Sequence, residues 1–238
     1  MSQHHCVLVP DVPKATARLT AQLAFTALLG AFLMAAPLAF AANKSAPAAK
    51  PATEYPAHET HENEHFSVAA DPCLNAKDCS FFRVPYLEHG FLPVRVIFTN
   101  DSDYAVSLDD ARIQFIPVDG GKIQAATDDD IDRRIFTLKN AQPGRVPIVP
   151  IPIPIHKTPV DKKITQDEND FGFSGTIVNA HSTLAGYLFY DIQGLDQPLK
   201  GAELYVKMLH TLDGKKDLFS FSVPFNKWLA ANPDASTH

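Results

Sequence analysis

The chain reads as an all-β protein, a sandwich of about seven to eight short strands with one short helix. Three observations predict this. Short segments alternate apolar with polar residues and are rich in β-branched and aromatic side chains. Gly, Asp, Asn or Pro bounds each of them. A stretch of N-terminal sequence marks the chain for export, a setting in which small-strand sandwiches are common.

The strands follow in order. Residues 91–99 alternate, and Asn100, Asp101, Ser102 and Asp103 supply a turn. Residues 104–108 form a short strand. Residues 112–118 alternate through Ile113 and Phe115 and end at a hairpin-type turn, Asp119-Gly120-Gly121. Residues 171–178, 183–192, 203–209 and 218–223 complete the set. The helix is predicted over 128–138, where three Asp residues open a segment with Ile131, Ile135 and Leu138 at helical spacing. Acidic side chains favour the positive end of a helix dipole. Trp228 and Leu229 read as a last helical turn or a docked tail. A closed barrel is the alternative architecture.

Two segments read as neither. In residues 146–155 proline recurs at every second or third place, which removes ladder donors and excludes a central strand. The expected form is an extended, polyproline-like or edge segment with its isoleucines packed down. Residues 156–170 are charged and contain Pro159, and read as a long exposed loop, where function often sits.

Residues 19–43 carry no charge, follow Lys14 and Arg18, and contain Ala39-Phe40-Ala41. This is the pattern of a signal peptide cut after Ala41. Gly30, Pro37 and the abundance of Ala argue against the competing reading, an uncleaved anchor. The predicted organisation is a signal peptide at 1–41, a disordered linker at 42–65, the β domain at 66–229 and a flexible tail at 230–238. The expected location is periplasmic or extracellular, with membrane attachment only if 19–41 is retained. The net charge of −6 becomes one unit more acidic on removal of Asp11, Lys14 and Arg18. That balance argues against nucleic-acid partners and anionic membrane surfaces.

Residues 92–102, a strand ending in Asn before a turn, and residues 181–191, a small-residue turn leading into a Gly-containing strand with aromatic residues and Asp, resemble exported bacterial immunoglobulin-like sandwich domains. The resemblance implies an immunoglobulin-like β-sandwich. It carries over no catalytic residue, and the Cys-Trp-Cys pattern of antibody domains is absent.

Candidate chemistry is sparse. With Cys6 removed with the leader, Cys73 and Cys79 form an even pair in an oxidising compartment, read as a structural disulfide rather than a redox pair, since the spacing is not C-x-x-C. His58, His61 and His65, interleaved with Glu59, Glu62 and Glu64, are candidate ligands for weakly bound Zn or Cu. Their spacing is not H-E-x-x-H, so a metalloprotease is not indicated. Met208-Leu209-His210 lacks the nearby Cys of a blue-copper site, and Met208 reads as core. Gly172-Phe173-Ser174-Gly175 lacks the final Gly of a nucleophile elbow. The leading functional reading is an exported, non-enzymatic module that binds an envelope protein or glycan, with residues 142–170 and the turn faces carrying recognition. The alternatives are metal binding or delivery through the His-rich linker, and an exported hydrolase with a dispersed site.

Overall fold

A computed structural model describes residues 47–75, 77–140 and 159–234, with the side chains of 136–140 and 159 excepted. The predicted signal segment, the whole proline–isoleucine stretch at 146–155 and the last four residues lie outside this set. The chain runs β1 (His58–His61), β2 (Phe66–Pro72), β3 (Phe91–Asn100), β4 (Val106–Ser107), β5 (Arg112–Ile116), β6 (Ile123–Gln124), α1 (Asp128–Asn140), α2 (Pro159–Phe171), β7 (Ile177–Val178), β8 (Ser182–Asp191), β9 (Glu203–Lys207), β10 (His210–Thr211), β11 (Phe221–Pro224) and α3 (Asn226–Ala231). The class is all-β. Among the described residues there are more and shorter strands than periodicity predicts, because two-residue strands leave no periodic trace.

All pairings are antiparallel. One four-stranded sheet has the order β1-β2-β3-β8, a second β11-β9-β5-β6, and a small third sheet β10-β4-β7. The two larger sheets share a core. Phe66, Val68 and Ala70 of β2 and Leu92, Val94, Val96 and Phe98 of β3 pack with Phe115, Leu204, Val206, Phe221 and Val223. Their period of two is what alternating strands deliver to one face. Gly186 of β8 is needed here: a Cβ would meet the Phe173 backbone nitrogen at 2.5 Å, and the space lets Phe173 reach Phe98.

The opposite face of the first sheet is also covered, so every residue of β3 is buried. At one end the segment before β1 lies over it. Ala52 packs on Ala69 and Ile97, and its N–H donates to Thr99 Oγ1 at 2.8 Å. At the other end Phe91, Tyr187 and Phe189 meet Phe82, Val84, Tyr86, Ile131, Ile135, Ile164 and Phe171. Between them sits Arg95, buried opposite Asp71 on β2 and over the Tyr187 ring.

Two expectations are overturned. Residues 159–170, read as part of a loop, and Phe171, read as the start of a strand, are helix α2. Pro159 opens it, where a missing N–H costs nothing. Val160, Ile164, Asp167 and Phe171 share one stripe, the spacing of a helix on a core. Residues 58–61, read as part of a disordered linker, are strand β1, paired to β2 from His58↔Ala69 to His61↔Phe66. The predicted helix at 128–138 is α1. Thr127 caps it: its hydroxyl and N–H donate to Asp130 Oδ2 at 2.8 and 3.1 Å, and Asp130 N–H returns to Thr127 Oγ1 at 3.2 Å.

Asp167 fastens α2 to the sheet. Fully buried, it accepts from the Arg83 and Val84 backbone N–H groups at 2.9 and 3.2 Å, from Arg83 Nη1 at 2.9 Å and from Tyr86 Oη at 3.2 Å. Asp167→Ala strips the acceptor from all of these donors and is expected to cost about 3–5 kcal/mol in urea unfolding. Asp170→Ala, which removes the exposed half of the same Arg83 pair, should cost less than about 1 kcal/mol.

Asp71 accepts the Trp228 indole N–H at 2.9 Å, and burial raises its carboxyl above the ordinary range. A raised carboxyl binds its proton more tightly folded than unfolded, so its contribution to stability falls as pH rises from the ordinary carboxylate value through the folded one. Asp71→Asn keeps an acceptor for Trp228 and removes this loss. The variant should be more stable than wild type at pH 7, with the difference closing towards about pH 3, as read by urea midpoints at both.

Candidate recognition face

The small sheet is where apolar side chains come to the surface. Its register aligns Ile177 with Ser107, Ser107 with His210, and His210 with Asp217 beyond. The next row, Val178, Val106 and Thr211, is buried against the main core. Alternation turns the other row away from that core: Ile177 and Asp217 are exposed and His210 half-buried, while Ser107 on the central strand is buried. Leu212, in the turn that follows β10, is exposed as well.

Of the five exposed large hydrophobic side chains among the described residues, four belong to this region: Ile177 (40%), Met208 (46%), Leu212 (53%) and Phe219 (77%). Met208 was expected in the core. The reason for its exposure is a change of sheet. The chain leaves the second sheet at Lys207 and enters the small sheet at Leu209–His210, and Met208, at φ 63°, makes the switch. Phe219 marks the return. Leu218 bonds to the Leu209 carbonyl at 2.8 Å and is buried, Phe221 is buried in β11, and the side chain between them faces out.

Polar groups around the face are fixed in place. Asp109 accepts from Ser107 Oγ at 3.0 Å, and hydrogen bonds from Thr176 and Ser107 hold its carboxyl below the usual range. The hairpin turn after β10 is built on Gly214 at φ 66° and on Asp213. Asp213 accepts from Thr211 Oγ1 at 2.6 Å and pairs with Lys215 at 2.9 Å, which brings its carboxyl down to about 2.

The His-rich segment is placed beside this region and does something other than collect a metal. His61 stacks on Phe221, ring centroids 3.9 Å apart. Its Nδ1 lies 2.9 Å from Glu64 Oε2 and its Nε2 3.3 Å from Glu59 Oε1. The other oxygens of the same carboxylates accept the N–H of Phe219, at 3.1 Å, and of Ser222. Glu59, His61 and Glu64 thus seal the edge of β11 against β1. His58 Nδ1 donates to the Tyr55 carbonyl at 2.6 Å, and His65, exposed at φ 50°, ends the turn that joins β1 to β2. The three histidines are not brought together. Among the described residues no three His, Cys, Asp or Glu side chains form a group able to hold a metal ion.

The opposite seam between the large sheets is backbone: Ala125 bridges Tyr190, and Ala126 N–H donates to the Phe189 carbonyl at 2.7 Å. Cys73 and Cys79 are disulfide-bonded, with Cα atoms 5.9 Å apart. Ser174 lies in the turn between α2 and β7, and Asp128 and Asp130 belong to the first turn of α1. A separate open cleft of about 840 Å³ lies between the 117–119 and 194–201 turns, walled by Pro117, Val118, Leu195 and Pro198. No helix among the described residues is long and apolar enough to cross a membrane. No family model matches the chain, and neither a curated protein nor a solved structure does.

Sequence reasoning missed the face because its strands are too short to show a period. The available signal was Phe219, which stands in an alternating run with Phe221 and Val223 and is nevertheless next to the buried Leu218.

The seam carries a direct test. Glu64→Ala leaves the Phe219 N–H without its acceptor in a site where Glu64 is 2% exposed, and should cost about 1–3 kcal/mol in urea unfolding. Glu62→Ala, on the exposed side of the same turn, should change stability by no more than about 0.5 kcal/mol.

Proposed function

We propose that the protein is an exported, non-enzymatic binding module of immunoglobulin-like organisation that recognises a protein in the cell envelope through the outer face of its small sheet. The observation that carries this reading is that four of the five exposed large hydrophobic side chains among the described residues, Ile177, Met208, Leu212 and Phe219, lie on the small sheet or on the segments that enter and leave it. Contiguous exposed apolar side chains on a folded domain mark interaction surfaces. The frame supports the same reading, because a preorganised face loses little entropy on binding.

Three further points support it. The uncharged run with Ala39-Phe40-Ala41 and the Cys73–Cys79 disulfide fit an oxidising, exported setting. The two stretches that resemble immunoglobulin-like domains are neighbours, paired from Leu92↔Tyr190 to Asn100↔Ser182. A protein is favoured over a glycan by the side chains themselves: aliphatic Ile, Met and Leu dominate the face, whereas sugar recognition relies on aromatic platforms ringed by planar polar groups.

Replacing Phe219 and Leu212 together by Ser tests the reading. Both are exposed, so the fold should survive, with stability within about 1 kcal/mol of wild type. Wild-type protein should capture a specific partner from an envelope extract, and the double variant should retain less than about a tenth of that capture. Equal capture by both, or turnover of a substrate by wild type, would contradict it.

A further inference from the structure

The charges around the face define the chemistry of what docks there, given the recognition reading above. Asp109, exposed in the turn after β4, is held beside Ser107 by hydrogen bonds between its carboxyl and N–H and the Ser107 hydroxyl. Asp217 stands directly across from His210 in the outward row. In the turn Lys215 pairs with Asp213 at 2.9 Å, and Lys216, bonded through its carbonyl to the Thr211 N–H at 2.8 Å, belongs by alternation to the other row; His210, between Asp109 and Asp217, is the basic group of this side. The apolar residues are therefore bordered by carboxylates. Hydrogen bonds to Thr176 and Ser107 hold Asp109 in its charged form, ready for a cation without rearrangement. Ser107 itself is covered by this contact and offers no free hydroxyl to a sugar or peptide.

We infer that this face docks a cationic, apolar protein segment, whose aliphatic or aromatic side chains seat on Ile177, Leu212 and Phe219 while Lys or Arg side chains meet Asp109 and Asp217. A second copy of the chain is disfavoured, because it would set the same carboxylates against one another on a protein already at −6. An anionic lipid surface is disfavoured for the same reason.

The test uses the full chain and a short labelled peptide alternating Leu and Lys, read by fluorescence anisotropy. Two control peptides alternate Leu with Glu and Ser with Lys. The Leu–Lys peptide should bind at least about tenfold more tightly than either control, and more weakly as salt rises. Asp109→Asn with Asp217→Asn should weaken it about tenfold and flatten the salt dependence; Phe219→Ser with Leu212→Ser should weaken it without flattening. Three results overturn the inference. One is no preference for the Leu–Lys peptide. Another is binding by both double variants as tight as by wild type, which would mean that the peptide sits elsewhere on the acidic surface. The last is a dimer in sedimentation that Phe219→Ser dissolves, which would mean that a second copy covers the face. Failure of the Leu–Lys peptide while the Phe219 and Leu212 substitutions still abolish envelope capture would remove the cationic segment and leave the recognition face standing. Failure of both removes both.

Discussion

The buried carboxylate of Asp167 holds the helical layer on the first sheet. It offers two oxygens to donors on Arg83, Val84 and Tyr86, groups that would otherwise be sealed away from water unpaired. With that contact made, Phe82, Phe171, Tyr187 and Phe189 can close over one another, Phe82 to Phe171 at 5.2 Å and Phe82 to Tyr187 at 5.1 Å, both edge-on. With this layer in place, the first sheet has a covering on its second face. The covering turns β3 from a half-exposed sandwich strand into the central strand of a three-layer arrangement, with sheet, sheet and helix stacked in turn.

From that central strand the rest of the architecture is positioned. β3 pairs β8 along its whole length and β2 along seven residues, so the first sheet is the most continuous in the molecule. Its two ends reach the second sheet by different means. One seam is closed by backbone at Ala125 and Ala126, the other by the side chains of Glu59 and Glu64 capping N–H groups of β11. The second device has a consequence for the surface. Glu64 holds the backbone of Phe219, so the most exposed aromatic side chain of the proposed recognition face is anchored through the main-chain atom behind it. An apolar group held in the open by a buried carboxylate is an arrangement that stability alone does not require.

The legibility of this structure in its sequence follows physical scale. β3, β5 and β8 are long or strongly alternating, and α1 announces itself by an acidic first turn and isoleucines four apart. α2 was hidden by its charge: Lys162, Lys163, Asp161, Glu168 and Asp170 dominate its composition, and the one charged residue that faces inward, Asp167, interrupts the apolar stripe that Val160, Ile164 and Phe171 would otherwise have shown. β1 was hidden for a related reason. Its side chains are half-buried polar groups, and its strand character comes from β2 and from hydrogen bonds to β11, which are tertiary. The proposed recognition face was least legible. Alternation places Phe219 inside and a core reading places Met208 there. Only the switch of the chain between sheets, invisible to any local pattern, turns both outward.

Native-state hydrogen exchange across rising urea tests whether α2 and the first sheet form one cooperative unit joined at Asp167. The amides of β3, β8 and the Asp167 turn of α2 should exchange only with global unfolding, their opening free energies merging with the stability of the whole chain. An α2 that opens at a clearly lower free energy while β3 stays protected would show that the helical layer is a dispensable cover, and would contradict the three-layer account.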